Sequence, residues 1–268
     1  MTIAFIGGGN MASAIIGGLR KSGHNGGDVL VIDPGAAQRE KLQTEFGVRT
    51  LAAADASLAL VELVVWAVKP QLFGAAAAPC TPHVGRALHL SVMAGIRSDA
   101  LARAAGTERV VRTMPNTPAL VGQGMTGLFA RAAVSAADRE RVEHVLAPTG
   151  QLLWVAREDD LDAVTAISGS GPAYVFFFVE AMMTAAQQMG LSAEQGRQLA
   201  LGTFAGATAL ALASPESPSV LRERVTSKGG TTYAAITAMQ SSGMQAAFIA
   251  AMQAAQQRAR ELGDEFGA

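Results

Sequence analysis

One cysteine, Cys80, is all that the chain contains. That excludes an intrachain disulfide and any metal centre built from several thiolates. Histidine is nearly as sparse, and His24, His83, His89 and His144 include no pair at metal-ligand spacing. Each reads as a surface or internally satisfied residue. Net charge is only -1 and no Lys/Arg cluster stands out, so a nucleic-acid surface, which needs concentrated positive charge, is not expected. No basic stretch separates Met1-Thr2 from the strand-like run that follows, so no signal peptide is expected either. The most apolar stretch, residues 173–183, is broken by Glu180 and falls short of the roughly 20 residues that span a bilayer. A soluble, cytoplasmic chain with no membrane partner is expected.

What is present is apolar and small. Half the residues are hydrophobic, 16% are charged and 5% aromatic, with 29 glycines. Sizeable cores packed from small side chains follow. The length of 268 residues suits one large domain or two of ordinary size. Residues 3–7, 29–33, 63–68, 88–93 and 110–114 are Val-, Ile- and Leu-rich runs that read as buried strands. Helical spacing fills segments such as 11–21 and 36–46, and this alternation implies a parallel sheet. Residues 126–130 and 152–155 are candidates to extend its edge.

Past about residue 158 only helical patterns remain. Ser192, three residues before Gln195, reads as an N-cap with its capping box. Segments 174–183 and 199–213 are apolar on nearly every face, and roughly 110 residues of helix can hardly bury such faces alone. The expected architecture is an α/β, N-terminal Rossmann-type, doubly wound and mainly parallel sheet over residues 1–158. An all-α C-terminal dimerisation domain over 159–268 follows it, giving a homodimer with a higher oligomer of dimers left open.

The sharpest local motif is Gly7-Gly8-Gly9-Asn10-Met11-Ala12, with Ile6 ending the strand before it. It fits G-x-G-x-x-A: Gly7 permits the tight turn, Gly9 lets backbone approach a pyrophosphate, and Ala12 allows close helix–sheet packing. In a chain this rich in glycine the motif alone is weak. Its place between a strand and a helix makes it a dinucleotide site, with phosphates at the helix start. Asp33, ending the second strand, is where an acid holds the adenine ribose and favours NAD over NADP. Arg39 could instead meet a 2′-phosphate, and Asp33-Pro34 could simply start a turn. NADPH or NADH is therefore expected, with the choice open.

Four further segments are more particular: Ala67-Val68-Lys69-Pro70-Gln71, Met114-Pro115-Asn116-Thr117-Pro118, Ser168-Gly169-Ser170-Gly171-Pro172-Ala173-Tyr174, and Val225-Thr226-Ser227-Lys228-Gly229-Gly230-Thr231-Thr232. In this order and spacing they closely resemble the pyrroline-5-carboxylate reductase family over nearly the whole chain. The resemblance implies that Ala67, Val68, Lys69 and Pro70 lie against the cofactor and that Val92, Met93 and Ala94 border the nicotinamide. It implies that Ser227, Gly230 and Thr231 hold the substrate carboxylate, that Thr232 faces the ring nitrogen as the catalytic contact, and that Glu158 reaches the substrate. Lys228 stands where many relatives carry proline. The implied reaction is reduction of 1-pyrroline-5-carboxylate, a small cyclic imine, to L-proline. Such a site needs an anion pocket, a polar contact for nitrogen and a positioned hydride donor. Without the resemblance, residues 227–232 would read as an ordinary helix start.

Two rival readings are a β-hydroxyacid dehydrogenase-like oxidoreductase and a non-catalytic NAD(P) sensor. The first relies on a lysine on a long helix of the second domain. This chain has lysine only at positions 21, 41, 69 and 228. The second would not need the Ser-x-Gly-Gly-Thr-Thr pocket.

Overall fold

A computed structural model describes residues 1–267. Eight strands form one sheet: β1 (Ile3–Ile6), β2 (Val29–Ile32), β3 (Arg49–Leu51), β4 (Leu63–Trp66), β5 (Leu88–Ser91), β6 (Val110–Met114), β7 (Gly124–Ala130) and β8 (Gly150–Trp154). Their spatial order is β3-β2-β1-β4-β5-β6-β7-β8. β1 to β6 run parallel, β7 is antiparallel to β6, and β8 is parallel to β7. The seven strands read from the sequence are all present, the last two at the edge as expected. β3 is the addition. Three residues, Arg49, Thr50 and Leu51, are too few to display an alternation.

Helices α1 (Asn10–Lys21), α2 (Ala36–Phe46), α3 (Phe73–Ala77), α4 (Thr81–Val84), α5 (Ser98–Ala105) and α6 (Ala136–Leu146) lie between the strands. After β8 come α7 (Asp160–Val164), α8 (Gly171–Gln188), α9 (Ala193–Ala213), α10 (Pro218–Arg224), α11 (Thr231–Ser241) and α12 (Met244–Gly267). Successive strand side chains point to opposite faces, and two cores result. Ile3, Phe5, Val29, Val31, Leu63 and Val65 pack with Ile15, Ile16 and Leu19 of α1. Ala4, Ile6, Leu30, Ile32, Val64 and Trp66 pack on the other face with Phe73, Val84 and Leu101.

The chain divides into two compact units, Met1–Pro172 with the chain from Ala254 onward, and Ala173–Gln253. The last strand ends at Trp154, yet the first unit runs past the expected boundary at residue 158 to Pro172 and regains the end of α12. Within this unit a Cβ on Gly95, whose φ is +74°, would lie 3.2 Å from the Leu262 carbonyl oxygen, and one on Gly263 would lie 2.5 Å from the Arg97 guanidinium. Arg97 itself makes two bonds to the buried Asp162, at 3.2 and 2.9 Å. The second unit is all helix. α9 begins with the expected capping box: Gln195 N–H donates to Ser192 Oγ, and Ser192 N–H to Gln195 Oε1. Tyr174 and Phe178 of α8 meet Phe248 of α12 with ring centroids 6.0 and 5.7 Å apart. Much of its apolar surface is open, including Phe177 at 68% and Leu212 at 72% exposed. α7 and α8 join through a π-helical turn, Thr165–Gly169. The resulting run, Asp160–Gln188, is longer than the apolar stretch seen in the sequence and by length and composition alone could cross a membrane. It carries Asp160, Asp162 and Glu180.

His89 is buried in the middle of β5. Its Nδ1 accepts from the Trp66 indole N–H at 3.0 Å, and Nε2 lies 3.1 Å from the Val84 carbonyl oxygen. The indole can only donate, so Nδ1 must stay unprotonated and Nε2 carries the hydrogen. Burial is the main force that pushes the imidazole down from 6.5 to about 4. Between those values the unfolded chain binds the proton and the folded one does not, so stability falls as pH drops through that window. The full loss is about 3 kcal/mol. Urea unfolding at pH 7 and pH 4.5 should show most of it, and His89→Leu should flatten the difference.

Candidate functional site

The strand order reverses at β1, with β2 on one side and β4 on the other, and such a switch point is where open α/β sheets bind ligands. The loops leaving β1 and β4 meet there. Gly7 N–H donates to the Ile32 carbonyl, and Ala67 N–H to that of Ile6, both at 2.8 Å. Gly7 has φ +96°, and a Cβ on it would stand 2.6 Å from the Ala67 carbonyl oxygen. Only glycine fits. Gly9 caps α1 with φ -68° and ψ -168°, its helix start has no side-chain cap, and no acid stands in the first turn. A Cβ on Gly9 would meet nothing within 4 Å. Open space above an uncapped helix start is what a pyrophosphate requires.

This loop floors a cleft of about 570 Å³, a size typical of small-molecule sites. Ile6, Gly7, Gly8, Gly9, Asp33, Ala67, Val68 and Lys69 are in its wall. Asn10 and Met11 start α1 beside it, and Pro70 opens the short turn that Lys69 caps. The residues present thus fit a dinucleotide on geometry as well as on motif. Pattern reading missed a second part of the wall, formed beside Ala54 by Ile32, Pro34, Ala52, Ala53, Leu72, Ala75, Ala76, Pro79 and Cys80. Residues 52–54 follow β3, the strand too short to be seen, and small apolar residues carry no chemical signature. Cys80 is no nucleophile: burial pushes its thiol up to about 11, and its Sγ donates to the Ala76 carbonyl at 3.2 Å.

Val92, Met93 and Ala94 follow β5. Val92 N–H donates to the Trp66 carbonyl at 3.0 Å, Met93 N–H to Ser91 Oγ at 3.2 Å, and the Met93 side chain is buried. Glu158 has its own set of partners. Its carboxylate accepts from Ser98 N–H at 2.7 Å, Ser98 Oγ at 2.5 Å and Arg112 Nη1 at 3.1 Å. Burial lowers the Arg112 guanidinium from its ordinary value, and Glu158 opposes that shift. Glu158 therefore serves in the first unit as counter-charge to a buried arginine, an arrangement spacing could not announce. Asn116 accepts from Met125 N–H at 2.9 Å and donates to the Ser168 carbonyl at 3.2 Å, tying two of the four quoted segments together.

In the second unit Ser227, Gly230, Thr231 and Thr232 gather at the start of α11. Gly230 N–H donates to the Ser227 carbonyl at 3.0 Å, closing a turn whose third residue, Gly229, has φ +78°. A type II turn demands glycine there and favours proline one place earlier, where Lys228 stands. A Cβ on Gly230 would lie 2.7 Å from Ser227 Oγ, so glycine brings the hydroxyl against the backbone. Gly230 caps α11 without a side-chain bond, and the first turn holds no acid. Thr231 is exposed and Thr232 half-buried.

The two glycines of the cleft should part company on substitution. Gly7→Ala should destabilise the fold by about 1–3 kcal/mol, since it meets both backbone strain and a carbonyl. Gly9→Ala should leave the melting temperature unchanged while weakening NAD(P)H binding, because its methyl stands in the cleft. Thermal unfolding and dinucleotide titration of both variants separate the roles.

Residues 158–262 match the family model described as pyrroline-5-carboxylate reductase dimerisation, and residues 2–95 match one described as NADP oxidoreductase coenzyme F420-dependent. Among solved structures, a pyrroline-5-carboxylate reductase from Coxiella burnetii superposes with TM-score 0.91 at 35% identity, covering 97% of this chain and 98% of that one. A Plasmodium falciparum pyrroline carboxylate reductase with NADP bound superposes with TM-score 0.87 at 26% identity, covering 98% of each. The Pseudomonas aeruginosa protein named pyrroline-5-carboxylate reductase is 45% identical over 267 residues, 99% of this chain and 98% of its own. With identity sustained from end to end, this chain belongs to the pyrroline-5-carboxylate reductase family.

Proposed function

We propose that this protein reduces 1-pyrroline-5-carboxylate to L-proline with NADPH or NADH, the last step of proline biosynthesis. The observation that carries the proposal is that each unit has an uncapped, acid-free helix start behind a motif glycine, α1 behind Gly9 and α11 behind Gly230, in a chain of this family. The nicotinamide, when bound, would supply the hydride that the carbon of the protonated imine accepts, the ring nitrogen keeping its proton as the C=N double bond becomes single. The chain's own residues bind and orient. Gly9 and the first turn of α1 hold the pyrophosphate, with Ala67, Val68, Lys69 and Pro70 alongside and Val92, Met93 and Ala94 toward the nicotinamide. The backbone N–H groups of Gly230 and Thr231 with the Ser227 hydroxyl take the substrate carboxylate. The Thr232 hydroxyl contacts the ring nitrogen and turns the imine carbon toward the donor. Glu158, its carboxylate held by Ser98 and Arg112, reaches toward the substrate in this reading.

The second unit acts as the homodimer interface in this reading, because Phe176, Phe177, Leu199, Leu210, Leu212 and Ile249 are otherwise open to water. The same cover accounts for the apolar run through α8 without a membrane. A lone buried thiol suits a reducing, cytoplasmic setting. Of the rivals, the β-hydroxyacid reading lacks its lysine, since α8 carries none. Light scattering should give a dimer or a larger assembly, and an active monomer at assay concentration would overturn the interface.

The reaction is tested with purified protein, pyrroline-5-carboxylate and either coenzyme. Thr231→Ala keeps its backbone N–H and should be mild. Thr232→Ala removes the contact to a charged nitrogen, worth about 1.5–3 kcal/mol, or about ten- to hundredfold in kcat/KM. Coenzyme affinity should stay the same in both. Equal turnover by Thr232→Ala and the parent would show that the ring nitrogen lies elsewhere, and absence of imine turnover in the parent would leave the sensor reading.

A further inference from the structure

The wall of the dinucleotide cleft carries two charged side chains, Asp33 and Lys69. Asp33 is fixed from both sides. Its Oδ2 accepts from the Gly8 N–H and its Oδ1 from the Gly35 N–H, each at 2.8 Å. The first bond ties the carboxylate to the phosphate-binding loop itself, and the second ties it to the residue that caps α2. A side chain held by two backbone donors cannot swing aside when a ligand arrives. It stands at the end of β2, where the adenine ribose of a bound dinucleotide is met.

The wall's lysine, Lys69, follows β4, two strands from the β2 end that carries Asp33, and the residues beside Asp33 offer a 2′-phosphate little compensation. The four residues after Asp33 are Pro34, Gly35, Ala36 and Ala37, and the adjoining wall is Ala52, Ala53 and Ala54. Arg39 is the nearest cation along the chain, but its Nη1 donates to the carbonyls of Asp33 and Pro34, both at 2.8 Å. That places its charge on the loop backbone. A ribose with free 2′- and 3′-hydroxyls can donate to the fixed carboxylate. A 2′-phosphate, carrying between one and two negative charges, would meet it with like charge inside a partly desolvated cleft.

We infer that Asp33, locked by Gly8 and Gly35, makes this enzyme select NADH over NADPH. The inference rests on reading the glycine cleft as a nicotinamide dinucleotide site. The test is equilibrium binding, followed by nucleotide fluorescence and by calorimetry, with no turnover required. NADH should bind at least about tenfold more tightly than NADPH, and ADP more tightly than 2′-phospho-ADP by a similar ratio. Asp33→Asn keeps the size and an acceptor oxygen but drops the charge, and Asp33→Ser drops both. Each should bring the two coenzymes within about threefold of one another. Arg39→Ala should leave the ratio as it is in the parent protein. NADPH bound as tightly as NADH by the parent would overturn the inference, as would a ratio that Asp33→Asn and Asp33→Ser leave unchanged. A loss of NADPH binding confined to Arg39→Ala would hand the 2′-position to the arginine. A parent protein that binds neither dinucleotide would bring down the proposed function as well.

Discussion

Two strand ends standing level make the ligand site possible. β1 and β4 pair so that Ile6 lies beside Trp66, and the next residues, Gly7 and Ala67, approach until no Cβ fits between them. From that contact the glycine loop gets its path, α1 its starting point and the cleft its floor. The pairing is itself braced from the β5 side, where His89 holds the Trp66 indole and Phe73 meets its ring edge-on at 5.5 Å. A neutral buried histidine is thus part of the support for a site it never touches.

Charge is used sparingly and in fixed pairs. Arg97 with Asp162, Arg112 with Glu158 and Arg109 with Asp138 join distant segments of the first unit. Buried ion pairs add little net stability, because desolvation offsets their attraction, but losing one partner strands the other. Their value here is positional. Ser98 and Glu158 pin the segment after β5 at one end, and the Trp66 carbonyl receives the N–H of Val92 at the other.

Legibility followed signal strength. Central strands buried on both faces read as unbroken apolar runs, so β1, β2, β4, β5 and β6 were visible. β3 was not, and with it went Ala52 and Ala53 of the cleft wall. The glycine loop was legible because each glycine answers to a separate steric demand. The 227–232 loop was legible only through resemblance, since Ser, Gly and Thr at a helix start are ordinary. Glu158 shows the limit most clearly: only resemblance pointed to it, and its bonds to Ser98 and Arg112, which lie 60 and 46 residues away in sequence, belong to three dimensions. Likewise Asp33 was visible as an acid after a strand, but its restraint by Gly8 and Gly35 belongs to three dimensions.

The chain passes from the first unit to the second just after Pro172 and returns just before Ala254, each time within a helix, α8 and then α12. The second unit is therefore an insertion into the first. Neither a nascent chain stopped at Pro172 nor a fragment cut there contains Gly263, and Arg97 is left without the backbone that packs on its guanidinium. During synthesis the nucleotide-binding unit stays incomplete until the chain has been made past Gly263. The helical unit, though encoded later, has its whole sequence in hand first.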